Sequence, residues 1–392
     1  MPEIPKKFST KRMLWAIYIC NLLVSFHSYL IIYTDSSLLG KWFNESIVGI
    51  LFMSAAVISL VFLLNISWIL NKIGNRKLIL YLILFEFISV GGLAMTTHSG
   101  LVALLFVLHQ AILPIIFFSL DVFLENTITD ESHTGRIRSF FLTLSNITLI
   151  VAPLIVSLLV TDNNYLIIYI VSALFLLPMF FIAKGSLDRS REVKKFSIKI
   201  IDTFKHLIKR PDIYNIFGAN FILQFFYAWV VIYTPIYLHQ YIGFSWSQIG
   251  IMFTIMLLPF VLFEYPIGKL ADKKFGEKEF LIAGFIIMTI AIIIIPLTTV
   301  ANFAFWTALL FLSRTGASFV EVTTESYFFK HVDGSNADTI SFFRLTRPIS
   351  YITAPLVAIT SIHFLPFRYS FWILALIVIL GLRFATRIHD TR

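Results

Sequence analysis

Hydrophobic residues along this chain are gathered into long blocks separated by short polar stretches, and not into the alternating runs of half-buried strands. About twelve of the blocks reach roughly 20 residues, the length with which an α-helix crosses a hydrocarbon core about 30 Å thick. These blocks, called segments 1 to 12 below, cover residues 13–34, 45–69, 78–97, 101–124, 138–161, 164–183, 214–238, 246–268, 279–298, 302–325, 341–362 and 369–386. The pattern predicts an all-α membrane protein with twelve transmembrane helices.

The composition supports a membrane protein. Hydrophobic residues make up 58% of the 392 positions and charged residues 14%, and the mean hydropathy is +0.85. A soluble chain of this length needs far more charge to cover its surface. A soluble globular protein is therefore excluded as a class.

The net charge of +9 is spread unevenly over the loops. Lysine and arginine concentrate in both termini and in the loops between segments 2 and 3, 6 and 7, and 8 and 9, whereas the opposite loops carry little beyond Lys41 and Arg368. Cytoplasmic loops are enriched in these residues, so both termini are predicted to lie in the cytoplasm, at a plasma membrane or bacterial inner membrane. The charge thus reports topology, and no nucleic-acid partner is expected.

The chain contains an internal repeat with a period of about 200 residues. Five matches follow in order, with an offset that moves only from 200 to 202: Ile32-Tyr33-Thr34 with Ile232-Tyr233-Thr234, Val48-Gly49-Ile50 with Ile249-Gly250-Ile251, Asp121-Val122 with Glu321-Val322, Ser139-Phe140-Phe141 with Ser341-Phe342-Phe343, and Ala152-Pro153-Leu154 with Ala354-Pro355-Leu356. Six helices return the chain to its starting side, so the repeat predicts two parallel six-helix bundles. We expect a bundle over residues 1–183, a cytoplasmic linker over 184–212 and a second bundle over 213–392.

The linker contains one amphipathic stretch. Apolar residues at helical spacing face lysines over residues 196–209, which predicts a helix lying on the cytoplasmic membrane surface. A tether between the bundles and a binding site for a regulatory partner are both compatible with this pattern.

A loop motif follows segment 8. The stretch Gly268 to Lys278 reads GKLADKKFGEK, and its counterpart after segment 2, Ser67 to Lys77, reads SWILNKIGNRK. Glycine at 268 is expected to let neighbouring helices approach closely, and Asp272 to pair with a cation or a helix N-terminus. The first motif resembles the signature loop of the major facilitator superfamily, whereas the second departs from it at Ser67 and Asn71.

This resemblance extends over the whole chain through the helix count, the repeat and the basic central loop. It implies the major facilitator fold, two pseudo-symmetric six-helix bundles that rock around a site at the middle of the membrane. In that superfamily helices 1, 4, 7 and 10 line the cavity, and the protein is a monomer by default. The fold serves many solutes and therefore implies no particular substrate.

Polar residues at helical spacing fall on the same four segments, which independently predicts that these segments line a polar cavity. The candidate substrate-binding residues are Tyr18, Asn21 and Ser25 on segment 1, His109 and Gln110 on segment 4, Asn220, Gln224 and Tyr227 on segment 7, and Arg314 and Ser318 on segment 10.

Arg314 is the strongest of these candidates. It falls near the middle of segment 10, where a charge costs about 3 kcal/mol or more unless it is paired. One hypothesis is that Arg314 binds a negative or strongly polar group of the substrate. A structural ion pair with Glu321 or Glu264 is the alternative.

Acidic residues near the predicted cytoplasmic ends of segments 4 and 10 are matched by basic residues that precede or begin segments 5 and 11. They suggest ion pairs that close the cytoplasmic side, and passive packing or proton carriage are alternatives. The gate candidates are Glu125, Arg136, Arg138, Gly268, Asp272, Gly276, Lys278, Glu325, Arg344 and Arg347. The candidates for proton coupling are Glu321 and Asp121, because a buried carboxylate can take up and release a proton.

Three further polar residues lie inside apolar segments. Glu86 on segment 3 is expected to meet another helix, and neither Glu86 nor Glu264 is assigned a function. His27 on segment 1 fits a hydrogen-bonding role better than a proton relay.

The remaining motifs exclude several functions. No GxxxxGK[ST] loop, metal-ligand spacing or nucleophile motif is present, so no cofactor, no metal and no enzymatic activity are expected. The sequence therefore predicts a secondary transporter that moves a small solute by alternating access, coupled to protons, with membrane lipids around it. An uncoupled facilitator, a drug-type exporter, a non-transporting receptor, and a lipid scramblase or membrane enzyme on a transporter-like fold are the alternatives.

Overall fold

The computed structural model is helical almost throughout, and it describes residues 10–127, 134–160, 164–187, 210–271, 276–331, 343 and 345–389. The first eight helices are α1 (Thr10–Ile31), α2 (Asp35–Leu39), α3 (Glu45–Leu64), α4 (Ile66–Ile73), α5 (Asn75–Met95), α6 (Ser99–Thr127), α7 (Thr134–Leu159) and α8 (Leu166–Ser186). The next eight are α9 (Pro211–Ile236), α10 (Trp246–Leu262), α11 (Glu264–Leu270), α12 (Glu277–Ile294), α13 (Phe303–His331), α14 (Thr346–Phe364), α15 (Ser370–Ile379) and α16 (Gly381–Ala385). The predicted amphipathic helix over 196–209 lies outside the described residues.

Among the described residues, 11 helical stretches are long and apolar enough to cross a membrane. They correspond to predicted segments 1–10 and 12. Segment 11 becomes α14, a helix of 19 residues that carries Arg347 and His363 as well as several hydroxyl side chains. Its lower hydropathy separates it from the others, and twelve membrane crossings stay a prediction.

Predicted segments 2 and 8 are each broken into two helices. Segment 8 divides into α10 and α11 at Phe263, shortly after Pro259, which lacks the N–H that a helix interior needs. Segment 2 divides into α3 and α4 at Asn65, whose side-chain amide donates to the Val61 carbonyl at 2.8 Å. Such a bond competes with the regular ladder of backbone bonds and favours a break.

The described helices form two compact units. The first unit contains α1, the part of α3 from Val57 onward and α4 to α8, and the second contains α2, the part of α3 up to Ala56 and α9 to α16. The repeat alone assigns residues 35–56 to the first bundle. They group with the second unit because Glu45 accepts a hydrogen bond from Tyr241 at 2.6 Å and Gly49 lies against α14.

The interior of the first unit lies between α1, α5, α6 and α8. Apolar side chains such as Ile17, Ile79 and Ile116 are fully buried there, and Phe123 and Leu176 pack against them. In a bilayer the lipid is as apolar as this core, so the helices associate through close packing and polar contacts. The polar contacts inside each unit are therefore informative about structure and function.

The second unit contains a very close helix contact between α12 and α13. A methyl group built on Gly284 would lie 2.7 Å from the Gly316 carbonyl oxygen, and one built on Gly316 would lie 2.7 Å from the Met288 backbone nitrogen. Among the described residues, a methyl group at Gly268 would meet Val322 at an ordinary 3.9 Å, so the close approach expected at this glycine is not found between them. The close helix contact therefore lies between α12 and α13, at Gly284 and Gly316.

Candidate functional site

In the first unit, the polar residues predicted for the cavity on α1 contact α7. Tyr18 donates to the Ile137 carbonyl at 3.2 Å, and Asn21 donates to the Phe141 carbonyl at 2.8 Å. Asn21 and Ser25 also lie 2.9 and 3.0 Å from the Ser145 hydroxyl. All three predicted residues are buried, so this polar edge joins two helices in the present conformation.

The second unit repeats this arrangement. Asn220 on α9 donates to the Thr346 hydroxyl on α14 at 2.9 Å, and Ser350 donates to the Phe221 carbonyl at 3.4 Å. Ser318 is buried and bonds to a carbonyl of its own helix. Two further cavity candidates, Gln110 and Gln224, are half-buried.

Arg314 differs from the other candidates because its guanidinium is buried without an ion pair. The residue is 4% exposed, and its Nε and Nη1 atoms have no hydrogen-bond partner. Among the described residues, none of the ion pairs involves Arg314. The alternative of a structural pair with Glu321 is therefore not observed, and the side chain of Glu264 lies outside the described residues.

Two aromatic rings on α9 contact the guanidinium of Arg314. The guanidinium carbon lies 5.0 Å from the centre of the Phe226 ring and 5.6 Å from that of Tyr227. Desolvated cation–π contacts contribute about 2 kcal/mol, less than burying an arginine costs inside a membrane. The Nε and Nη1 groups also lack acceptors, so the cation–π contacts alone do not offset the cost of this buried charge.

Arg314 lines a narrow cavity within the second unit. The walls are mostly apolar and come from four helices: Phe226, Val230 and Thr234 of α9, Phe253 and Met256 of α10, Ile292 of α12 with Ile295 beyond its end, and Leu310, Ser313 and Arg314 of α13. The cavity is about wide enough for one water molecule. The Thr234 hydroxyl has no hydrogen-bond partner, so a second polar group is available in the cavity lining.

Glu321 connects to this site through an aromatic hydroxyl. Tyr227, whose ring contacts Arg314, donates its hydroxyl to the Glu321 carboxylate at 2.6 Å. A change at the Glu321 carboxylate therefore acts directly on a side chain that contacts the guanidinium. These three residues form what is called the Arg314 cluster below.

The sequence matches the profile of the Major Facilitator Superfamily twice, over residues 8–250 and over residues 216–390. Together the two matches cover nearly the whole chain. The chain belongs to the major facilitator superfamily. Among curated proteins, none matches the sequence significantly.

Solved structures with this fold include the nucleoside transporter NupG and a bacterial homolog of the human lysosomal transporter Spinster. The match to NupG has a TM-score of 0.74 at 15% identity and covers 96% of this chain and 100% of NupG. The match to the Spinster homolog, in an inward-facing and unoccupied conformation, has a TM-score of 0.72 at 12% identity and covers 97% and 96%. At these identities the likeness establishes the fold alone.

Membership of the superfamily identifies the chain as an integral multi-pass membrane protein that transports a small molecule and is not an enzyme. The solute and the coupling ion are separate questions, which depend on the site.

The predicted gate of this major facilitator protein is only partly described. Asp272, Arg344 and the side chains of Glu125, Arg136 and Arg138 lie outside the described residues. Asp121, a candidate for proton coupling, is exposed. Of the gate candidates, Arg347 is exposed, Glu325 and Lys278 are half-buried, and Gly276 has a positive φ of 88°. The gate role of these residues stays a prediction.

Sequence reasoning missed one ion pair made by a residue of the loop motif. Glu277, the first residue of α12, is buried and pairs with Lys330 near the end of α13. Ser326 donates to the same carboxylate at 3.5 Å. No pattern along one helix indicates this pair, because the two partners are separated by 53 positions.

The first unit contains a buried cluster that the sequence does not reveal. Glu86 on α5 contacts both His27 on α1 and His109 on α6 through its Oε1 atom, and all three side chains are fully buried. The sequence predicts correctly that Glu86 meets another helix. It places His109 in the substrate cavity, however, and leaves the joining of the three side chains unrecognised.

Proposed function

We propose that this major facilitator protein is a secondary active transporter for a small solute that carries an anionic or strongly polar group, and that Arg314 binds this group. The observation that supports the proposal is the buried guanidinium with two N–H positions left without acceptors. A solute anion supplies the missing acceptors and offsets the cost of the buried charge. Binding and charge compensation are then the same event.

The narrowness of the cavity bears on how binding takes place. A space wide enough for about one water molecule does not admit a whole solute. The α9, α10 and α13 walls must therefore separate when the solute enters. A site that is closed in one conformation and open in another is what alternating access requires.

Proton coupling is assigned to Glu321 in this proposal. Its carboxylate accepts from Tyr227, whose ring lies against Arg314, so its charge acts on the solute site through one side chain. Taking up a proton at Glu321 removes a negative charge close to the guanidinium. The solute anion then no longer competes with the Glu321 carboxylate for the guanidinium of Arg314.

The location proposed is a plasma membrane or bacterial inner membrane with both termini in the cytoplasm, on the basis of the loop charges. The surrounding partners are membrane lipids, and the working form proposed is a monomer.

A thermal-stability screen of the purified protein tests the solute class. Anionic metabolites, sugars, nucleosides and lipophilic cations are added separately at mildly acidic and mildly alkaline pH. A ligand that prefers the folded state raises the melting temperature by mass action. We expect stabilisation by an anionic or strongly polar compound, whereas stabilisation by lipophilic cations alone would favour a drug-type exporter instead.

If Glu321 couples transport to protons, replacing it should impair proton-driven accumulation of the solute but not its exchange across the membrane. In Glu321→Gln, proton-driven accumulation of the solute found by the screen is expected to fall by at least about tenfold, while exchange without a proton gradient persists. Tyr227→Phe removes a hydrogen bond to a charged group, worth about 1.5–3 kcal/mol, and should weaken accumulation in the same direction. Uptake into proteoliposomes with and without an imposed proton gradient measures both effects.

The control for these variants is Glu279→Gln, which removes an exposed carboxylate from α12. It should leave accumulation unchanged. Full proton-driven accumulation by Glu321→Gln would exclude Glu321 as the coupling residue while leaving the assignment of Arg314 intact.

A further inference from the structure

Three side chains with metal-binding atoms converge inside the first unit. The His27 Nε2, His109 Nδ1 and Glu86 carboxylate atoms all lie within 4.8 Å of one another. Each side chain comes from a different helix, and each is fully buried. Imidazole nitrogen combined with carboxylate oxygen is a ligand set that suits divalent transition metals such as Zn²⁺.

The hydrogen bonds of His27 fix which ring nitrogen faces Glu86. Its Nδ1 lies 3.0 Å from the carbonyl oxygen of Ser172 on α8, an atom that only accepts, so Nδ1 carries the hydrogen. The Ser172 hydroxyl, which donates to the His27 carbonyl at 2.8 Å, lies 2.9 Å from the same nitrogen. In neutral His27 the Nε2 atom therefore presents its lone pair to Glu86.

This arrangement requires a positive charge between the two side chains. The Nε2 lone pair lies 2.9 Å from Glu86 Oε1, and two lone pairs at that distance repel each other unless a proton or a metal ion lies between them. The histidine N–H that bonds to a backbone carbonyl is also the support that histidine ligands of metals usually receive.

The second oxygen of the Glu86 carboxylate helps to decide whether a proton or a metal ion lies between the side chains. Glu86 Oε2 is buried and has no hydrogen-bond partner. A proton shared at Oε1 leaves Oε2 unsatisfied, at a cost of about 1–3 kcal/mol. A metal ion can bind both oxygens of the carboxylate and removes this cost, so the unsatisfied atom favours the metal.

We propose that His27, Glu86 and His109 form a binding site for a divalent transition-metal ion of the Zn²⁺ type. Ligand atoms at about 2.1 Å from a tetrahedral ion lie roughly 3.4 Å apart, so the observed 2.9 Å between His27 Nε2 and Glu86 Oε1 has to widen by about 0.5 Å. The His109 Nδ1 atom lies closer still to the same oxygen and has to move back further. With both Glu86 oxygens bound, the two histidine nitrogens and the carboxylate supply four ligand atoms, and a fifth coordination position can hold a water molecule or small anion. A bound ion joins α1, α5 and α6, and the site is independent of the Arg314 cluster.

Sequence spacing does not reveal this site, because the ligands are separated by 59 and 23 positions and come from three helices. Each ligand is a single polar residue in an otherwise apolar segment. Only the packing of the helices brings the three together.

The test is metal binding to the purified full-length protein, freed of affinity tags and stripped with a chelator. Co²⁺ is added as a spectroscopic probe, and Zn²⁺ binding is measured by calorimetry. We expect one equivalent of Co²⁺ to give the strong visible absorption of a low-coordinate site and to be displaced by Zn²⁺. His27→Gln, Glu86→Gln and His109→Gln should each weaken Zn²⁺ binding by at least about tenfold.

The matched control is His98→Gln, which removes an exposed histidine from the loop between α5 and α6 and should leave metal binding unchanged. Size-exclusion profiles and helical content establish that each variant is folded. If Glu86→Gln does not fold, the two histidine variants test the proposal. Wild-type protein that binds no Co²⁺ or Zn²⁺ would overturn the proposal and leave a shared proton as the cation. Binding that persists unchanged in the folded ligand variants would also overturn it.

Discussion

Replacing Arg314 by glutamine is expected to abolish the binding of an anionic solute and, in the same variant, to leave the ligand-free protein at least as stable as the wild type. Truncating one partner of a buried charged pair costs about 2–5 kcal/mol, which corresponds to a loss of affinity of about 30-fold or more. Without ligand, the substitution is not expected to lower the stability of the protein, because the wild-type guanidinium is buried with N–H groups unpartnered. Removing an unpaired buried charge relieves its desolvation cost.

The melting temperature without ligand and the shift caused by an anion together distinguish a substrate-binding role of Arg314 from a structural role. The melting temperature without ligand and the shift caused by the best anion from the screen are measured for wild type, Arg314→Gln and Arg314→Lys. Lysine keeps the charge but loses the planar set of donors, so an intermediate shift is expected. Arg383→Gln, which removes an exposed arginine on α16, should change neither quantity.

A lower melting temperature of ligand-free Arg314→Gln, with the anion-induced shift retained, would contradict the assignment. It would mean that Arg314 stabilises the fold and that the solute binds elsewhere. The cation–π contacts with Phe226 and Tyr227 would then be its main role.

Much of the fold follows from the sequence because it depends on local properties. The length and apolarity of each segment determine where a helix can cross the membrane, and segments 1–10 and 12 are confirmed as helical stretches of this kind. The superfamily is also predicted correctly, since the repeat and the loop motif are themselves sequence patterns. The breaks at Asn65 and Phe263 were missed, because a side-chain bond and a proline act on a single turn within an apolar block.

The candidate site follows only partly from the sequence. A lone arginine in an apolar segment can be recognised, but whether it is paired depends on helices that are distant along the chain. The same reason explains why the bond of Asn21 to α7 was not predicted, and why His27 and Glu86 were not joined. A periodicity argument shows which face of a helix is polar and contains no information about what that face meets.

Replacing Gly316 by alanine is expected to destabilise the protein, although alanine is the better helix former by about 1 kcal/mol. The added methyl group would lie 2.6 Å from the Gly284 carbonyl oxygen and 2.7 Å from the Met288 backbone nitrogen. Backbone atoms cannot turn aside as a flexible side chain can, so α12 and α13 must separate. Overpacking of this kind costs about 1–3 kcal/mol, and a fall of several degrees in the melting temperature is expected.

The control is Gly91→Ala in α5, where an added methyl group meets no atom within 4 Å. There the helix propensity acts alone, so the melting temperature should stay the same or rise. The prediction is therefore a difference in sign between two identical substitutions, measured on the same purified protein. Equal effects at the two positions would mean that the α12–α13 contact is looser than its geometry indicates. The close contact would then add nothing to the rigidity of the second unit, in which α13 carries Arg314.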